Sequence, residues 1–546
     1  MVETLQHFDA HITLPDFEVS PVRAHLMQSA LHLSPYRWML RRGGAQDVVC
    51  FPPDLWTGDP EAGRALIEDL YRLRGQTFAV TDTPWRRGGL PVEASHFLWL
   101  RDLHAVGGDQ ARQTARRLTE SWMRDHGRVS GLPWQPYVAA ERAVLWLQHY
   151  SFFAAGSEEG FQDALSQSLI LHLYRLRAHY YARYPDEDPL LMIKAMMYIT
   201  GCLKGYEAWF ETLEACLEDY LSHTIDERYE HRALSLSLQL ETVIHLLDIR
   251  LLYQSKKQRA PTYLRDMLSQ MAAVLKRAQM GTGTLPAFHA TPRYDRTWLQ
   301  TLLGMAGQSC QVMVQPYQGR VMGLEKIICK NTCVMMDCRL PDTGQRYHAS
   351  PLAFELSIGK NPLIANCGYA AALSPEWKKG LRGTAAHSTL SMDDADAFDY
   401  GASGEKTLSR IETEVSEEAG RMTLKARHDG YFGRFGVLHE RTLVLSRNGD
   451  HLSGHDGLKG AQGHAFCVRF HLPPHIRPLP EAGKNRVYLD AVNQDIWTLT
   501  CPALPITIEE SVFIDAEGTI RPTSQVVIRG TTVAGQTDIH WVLQKA

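Results

Sequence analysis

Several stretches of this 546-residue chain bring together side chains able to carry protons, bind charge or hold a metal. His428 and Tyr431 bracket Asp429-Gly430, a turn-forming pair that would put both rings at a sheet rim, where either could carry a proton. His439 and Arg441 follow two residues apart, so in a strand they share a face. The Arg441 guanidinium could clamp a carboxylate with two parallel hydrogen bonds. Most charged strand residues are exposed, however, which favours a solvated sheet face for it. His471 is an imidazole of the kind zinc takes, with Asp429 or His428 as partner, but these residues lack the short spacing of a ligand pair. No cofactor is required, and a structural divalent metal at His471 and Asp429 is left open.

His387 follows the small-residue run Gly383-Thr384-Ala385-Ala386, and one account of it is a strand-end imidazole held by hydrogen bonds. Tyr229, His231 and Arg232 lie in Asp226-Glu227-Arg228-Tyr229-Glu230-His231-Arg232-Ala233, which reads equally well as a charged connection between helices. His289 and Tyr294, in Phe288-His289-Ala290 and Tyr294-Asp295-Arg296, fall near a junction of domains, where clefts often form. The tryptophans Trp122, Trp134 and Trp146 could stack on a ligand, but at helical spacing such residues are more often core.

The elements that must position these residues change type along the chain. From about Glu61 to Lys276 apolar residues recur at helical spacing in at least eight segments, as in Phe161 to Tyr174 and Leu234 to Leu252. Breakers such as Gly131-Leu132-Pro133 and Tyr184-Pro185-Asp186 separate them. Such helices must bury their apolar stripes on one another as a bundle, a solenoid, or a ring of helix pairs. Around Gly281-Thr282-Gly283 the pattern changes, and from Thr332 apolar and polar residues alternate. Strands are expected at Leu352 to Ile358, Leu443 to Ser446, Ala465 to Leu472, Ile506 to Ile514 and Ile539 to Leu543. Asn448-Gly449 signals a two-residue hairpin turn. Many strands without helical crossovers argue for antiparallel sheets stacked as a sandwich, with a linker near residues 285–330.

A net charge of -4 gives no global basic field, so nucleic acid is not an expected partner. The ten cysteines lack paired metal or redox spacing and read as mostly reduced thiols. The N-terminus lacks the basic opening and apolar core of a secretory signal, and no apolar run reaches membrane-spanning length. As written the protein reads as cytoplasmic, with the periplasm or cell envelope as the alternative.

The run Gly383-Thr384-Ala385-Ala386-His387-Ser388-Thr389-Leu390, with Asp393-Asp394 after it, resembles a strand of heparinase II/III-like proteins. His428-Asp429-Gly430-Tyr431, Leu438 to Leu443, Val468 to Pro473 and Glu509 to Val512 follow in the order of that family's C-terminal domain. Phe354 to Ser357, Ile364 to Gly368 and, in the helical half, Trp134 to Ala140 are also similar to it. The resemblance covers most of the chain. It implies an incomplete α/α toroid at residues 61–310, preceded by an extension at 1–60 packing on it, and an antiparallel β-sandwich at 311–546.

The resemblance also implies a polysaccharide or oligosaccharide lyase that cleaves an anionic, uronate-containing glycan by β-elimination. That reaction must neutralise the C5 carboxylate, remove the C5 proton and protonate the departing O4. His387 is the first choice for a proton carrier, since a matching His in the family's lyases reaches the cleft. Tyr431, His428, Tyr229 and His231 are further catalytic candidates; Arg232, Arg441, His289 and Tyr294 are candidates for binding substrate. The helical half departs from the family pattern: Arg232 is preserved, but a Gly pair and an Asn are missing. Two other functions therefore stand beside the lyase. One is a catalytically degenerate glycan-binding or envelope-polysaccharide assembly protein. The other is a glycoside hydrolase, in which Asp226 and Glu227 would need a partner carboxylate across the cleft.

Overall fold

The computed structural model describes residue 29 and residues 47–546, other than 74, 87–88, 183–188, 308–317, 341–345, 399–409 and 492–494. Most of the expected 1–60 extension and the Tyr184-Pro185-Asp186 breaker lie outside the described residues. The chain divides into two compact units: residues 2–223 with 244–266, and residues 224–243 with 267–546. The divisions fall inside the helices Leu236–Ser255 and Thr262–Ala278.

The first unit is helical, with one short hairpin, Leu70–Leu73 against Gln76–Ala79. Its helices start where sequence logic places them. Asp59 caps Pro60–Ile67 by accepting from the Glu61 N–H at 2.8 Å, and Pro136 opens Pro136–Gln148, where its missing N–H costs nothing. Pro189–Cys202 is largely apolar and correspondingly buried, its Lys194 paired with Asp248 at 2.9 Å, and packs on Pro136–Gln148 and Glu159–Ala182. Trp122, Trp134 and Trp146 are core, as their spacing favoured. They enclose the buried Arg142, whose guanidinium carbon is 3.8 Å from the Trp122 ring centre and whose Nε donates to His172 at 2.9 Å.

The second unit carries the other strands, all of them paired antiparallel among the described residues. Five run in sequence order, Gly319–Val321, Leu324–Cys329, Thr332–Asp337, Phe354–Ile358 and Asn361–Ile364. An eight-stranded sheet includes Arg421–His428, Val437–Leu445, His451–Gly460 and Gly535–Lys545 as neighbours, and a four-stranded sheet pairs Leu390–Met392 with Ala465–His471. One apolar core joins all three: Phe354, Phe470 and Trp541 meet there, the Phe354 and Trp541 rings stacked at 5.7 Å. The five expected strands are all present. The Asn448-Gly449 turn differs from expectation. Residues 446–450 connect the two strands, Gly449 alone takes positive φ (+74°), and its N–H closes a turn onto Ser446 O at 2.9 Å. Ser446 and Asp450 hold this longer connection, the hydroxyl donating to the carboxylate at 3.1 Å.

Candidate functional site

His387 ends the short 3-10 turn Thr384–Ala386 and precedes the strand Leu390–Met392. A run of small residues precedes it, and the imidazole is buried at 2% exposure. Nδ1 faces Gly383 O at 2.9 Å, so that nitrogen carries the proton and Nε2 is the acceptor. Nε2 meets His348 Nδ1 at 3.2 Å, which must then be the donor. The second His348 nitrogen, Nε2, keeps its lone pair, and this buried atom has no hydrogen-bond partner among the described residues.

Behind His348 the chain of polar groups continues. Its backbone N–H donates to His289 Nδ1 at 3.0 Å, leaving the His289 proton on Nε2, 2.9 Å from Asp337 Oδ2. Asp337 also accepts from Arg339 Nε (3.1 Å) and the Ser350 hydroxyl (2.9 Å). Burial pushes the Asp337 carboxyl up, but His289 and Arg339 outweigh it and hold the carboxyl well below the usual carboxylate range. Burial pulls His387 down to about 4 and His348 well below its ordinary value, so both rings are neutral at pH 7.

Tyr369 lies on the other side of His348, ring centres 5.9 Å apart, and is half-buried, so it is the more open member of the row. Burial raises its phenol pKa above the ordinary value and Glu241 adds to the rise, while the charges of Arg346 and Arg382 offset only part of it. Arg346 is ion-paired with Glu241 (2.9 and 3.2 Å) and donates to Ser237 at 3.1 Å; Arg382 donates to Tyr347 O at 3.1 Å. Tyr294 stacks on Trp298 and feels Glu241 and Arg346 as well. His231, pulled to about 4 by burial and then by Arg346, completes this neighbourhood.

Of the residues singled out from sequence, His387, His289, Tyr294 and His231 are thus brought into one cluster. Arg232 is exposed, 3.9 Å from an exposed Glu227, and Tyr229 is a turn residue at φ +63° whose carbonyl accepts from Gln239. Tyr431 and His428, expected at a sheet rim, are buried. The Tyr431 hydroxyl donates to Leu390 O at 2.8 Å, and His428 links the Gly430 N–H (3.1 Å) to His439 Nδ1 (3.0 Å).

Arg441, expected on a solvated face, is also buried. The parity of its strand explains why: Val437, Leu443 and Leu445 share its face, and all face the core. Arg441 does clamp a carboxylate, that of Asp456, at 2.7 and 3.1 Å. His439 and Trp541 donate to the same group, at 2.8 and 2.9 Å. The Nη1 nitrogen of Arg441 holds Leu352 O and Ser388 O, the latter next to His387.

His471 has both nitrogens engaged, Nδ1 with the Ser511 hydroxyl at 2.7 Å and Nε2 with Ala385 O at 3.0 Å. Asp429 accepts from the Arg410 N–H at 3.1 Å. Among the described residues no three His, Cys, Asp or Glu side chains gather as a metal site. Sequence reading missed His348, Tyr369, Arg346 and Glu241. A signal existed: Arg346-Tyr347-His348 stands just before Phe354-Glu355-Leu356-Ser357, and Tyr369 directly follows the stretch Ile364 to Gly368.

An antiparallel β domain following a helical domain is the architecture of the solved heparinase III structures. Residues 315–542 match the family described as Heparinase II/III-like, C-terminal, which bears out the resemblance read from the sequence. A solved heparinase III is 14% identical with a TM-score of 0.72, covering 98% of this chain and 93% of that one. The heparan sulfate lyase HepC of Pedobacter heparinus is 14% identical with a TM-score of 0.59, covering 96% and 88%. These likenesses establish the fold, an α/α toroid followed by a β-sandwich. FtsZ-localized protein C of Caulobacter vibrioides is 25% identical over 96% of this chain and 94% of its own length.

Proposed function

We propose that the chain acts on an anionic, uronate-bearing polysaccharide by β-elimination, with Tyr369 and the His348–His387 pair at the reacting centre. The observation that carries this reading is the ring series His387, His348, Tyr369. It ends on a half-open phenol under the influence of two guanidinium groups. Arg346 and Arg382 supply positive charge for the uronate carboxylate. Tyr369 would exchange protons at the sugar, with the unpartnered His348 Nε2 as the basic nitrogen beside it. His387 fixes the His348 tautomer and so keeps that nitrogen unprotonated. The family match of residues 315–542 and the heparinase III fold support a polysaccharide as the ligand.

The test is mass spectrometry of products from a panel of acidic glycans. Elimination leaves one fragment lighter than the hydrolytic product by one water, carrying an unsaturated uronate. Fragments of full hydrolytic mass would replace the lyase reading with a hydrolase.

A second reading, glycan binding without cleavage at the cell envelope or division site, is favoured by two observations. His387 is enclosed with both nitrogens engaged, and the Caulobacter relative, aligned over nearly its whole length, is named for its localisation with FtsZ rather than for a reaction. Tight glycan binding with no new chain ends would select it.

A further inference from the structure

In the helical unit, residues 47–54 are tied down by contacts of several kinds. Val48 forms an antiparallel bridge with Leu203, the Val49 N–H donates to Cys202 O at 2.8 Å, and the Lys204 N–H donates to Asp47 O at 3.1 Å. Phe51 stacks on Tyr150 at 5.4 Å, and Asp54 accepts from Arg101 Nε at 2.5 Å, with His149 Nε2 3.1 Å away. Within this strap Cys50 and Cys202 face each other, their sulfurs 3.4 Å apart and both thiols free. Both belong to a set of buried, unbridged cysteines, and what distinguishes them is this sulfur-to-sulfur contact.

We propose that Cys50 and Cys202 form a thiol-oxidation site that closes to a disulfide under peroxide. The contact is just outside bonding distance, since a disulfide needs sulfurs about 2 Å apart. The bridge and the Val49–Cys202 hydrogen bond hold the two backbones side by side, which favours closure. Cys50 is the member nearer solvent, at 6% exposure between the exposed Val49 and Phe51, whereas Cys202 is fully buried. Their electrostatics divide the roles the same way. The hydrogen bond between the two thiols lowers the Cys50 pKa against the cost of burial, and Lys256 adds to the lowering; burial holds the Cys202 thiol well above its usual value.

In the first step the Cys50 thiolate attacks one peroxide oxygen, the O–O bond breaks, and a sulfenic acid and hydroxide form; hydroxide takes up a proton to become water. In the second the Cys202 sulfur displaces the sulfenic oxygen, the S–S bond forms, and the oxygen leaves as water with the Cys202 proton. The two thiols supply the two electrons that reduce the peroxide. Closure would staple residues 47–50 to the end of helix Pro189–Cys202.

The experiment treats the full-length protein with hydrogen peroxide, blocks remaining thiols with iodoacetamide and maps peptides without reduction. The expected result is a peptide cross-linked through Cys50 and Cys202, two hydrogens lighter than its parts and released by dithiothreitol. In Cys50→Ser the cross-link is absent and Cys202 stays alkylatable. Oxidation should also raise the wild-type Tm, with no such rise in Cys202→Ser, because the cross-link restricts the unfolded chain. Alkylation of both cysteines after a peroxide dose that oxidises a free thiol standard would overturn the proposal. So would pairing of either one with a different cysteine.

Discussion

At the residue scale, the buried histidines make the β-bearing unit sensitive to acid. His387 and His231 titrate near 4 and His471 near 3 in the folded protein, in each case chiefly through burial, whereas an unfolded histidine titrates near 6.5. The unfolded chain therefore binds more protons between these values, and stability rises with pH there. We expect the urea midpoint to hold above pH 7 and to fall steadily from about pH 6.5 toward 4. His387→Gln should flatten that slope, and an unchanged midpoint down to pH 4.5 would contradict the assigned neutral state. Asp456 gives a second prediction. Arg441→Met removes the cation from a carboxylate with no exposure to water, which should cost about 3–5 kcal/mol in denaturant unfolding. Had Arg441 lain on a solvated face, the loss would be below about 1 kcal/mol.

At the scale of elements, the strand pattern was more legible than the residues it carries. Alternation located all five expected strands, and the same alternation, taken one step further, places His439 and Arg441 with Val437, Leu443 and Leu445 on the core face. His428 likewise shares parity with Met422, Leu424 and Ala426. The general preference of charged residues for water pointed the other way. It failed because Asp456, brought across from the next strand as the direct partner of Arg441, completes a buried pair that no local pattern announces.

Close packing at Gly454 gives a prediction of its own. A Cβ there would come within 2.0 Å of the buried Trp541 ring. Gly454→Ala should therefore cost about 1–3 kcal/mol by overpacking. Gly304 is exposed in the last turn of helix Arg296–Ala306, where an added Cβ would meet nothing within 4 Å, and should behave oppositely. Gly304→Ala should stabilise by about 0.5–1 kcal/mol. Thermal denaturation of the two variants in parallel checks both signs.

At the scale of the whole molecule, an α-then-β order and a handful of motifs were enough to reach the heparinase II/III-like fold. The site was less legible. His387 was found through its motif, but its partners come from residues 241, 289, 346, 348, 369 and 382, and only the fold brings these together. The turn Asp226 to Ala233, where a catalytic Asn was sought, instead supplies the buried His231 and Glu230, whose carboxylate accepts from the Met322 N–H at 3.0 Å. Asn366, the buried amide beside the site, is fully occupied by Glu355, Ala287 O and Ser388 N–H.

The most direct test is the rise in ultraviolet absorbance of an unsaturated uronate when purified protein meets acidic glycans, with wild type beside Tyr369→Phe. Elimination at this centre predicts a steady rise for wild type and a rate reduced by about 10²-fold or more for Tyr369→Phe, the contribution expected of a positioned proton carrier. Equal rates in the two proteins would remove Tyr369 from the chemistry. No rise on any glycan, with binding intact, would contradict elimination itself and leave the non-catalytic reading in its place.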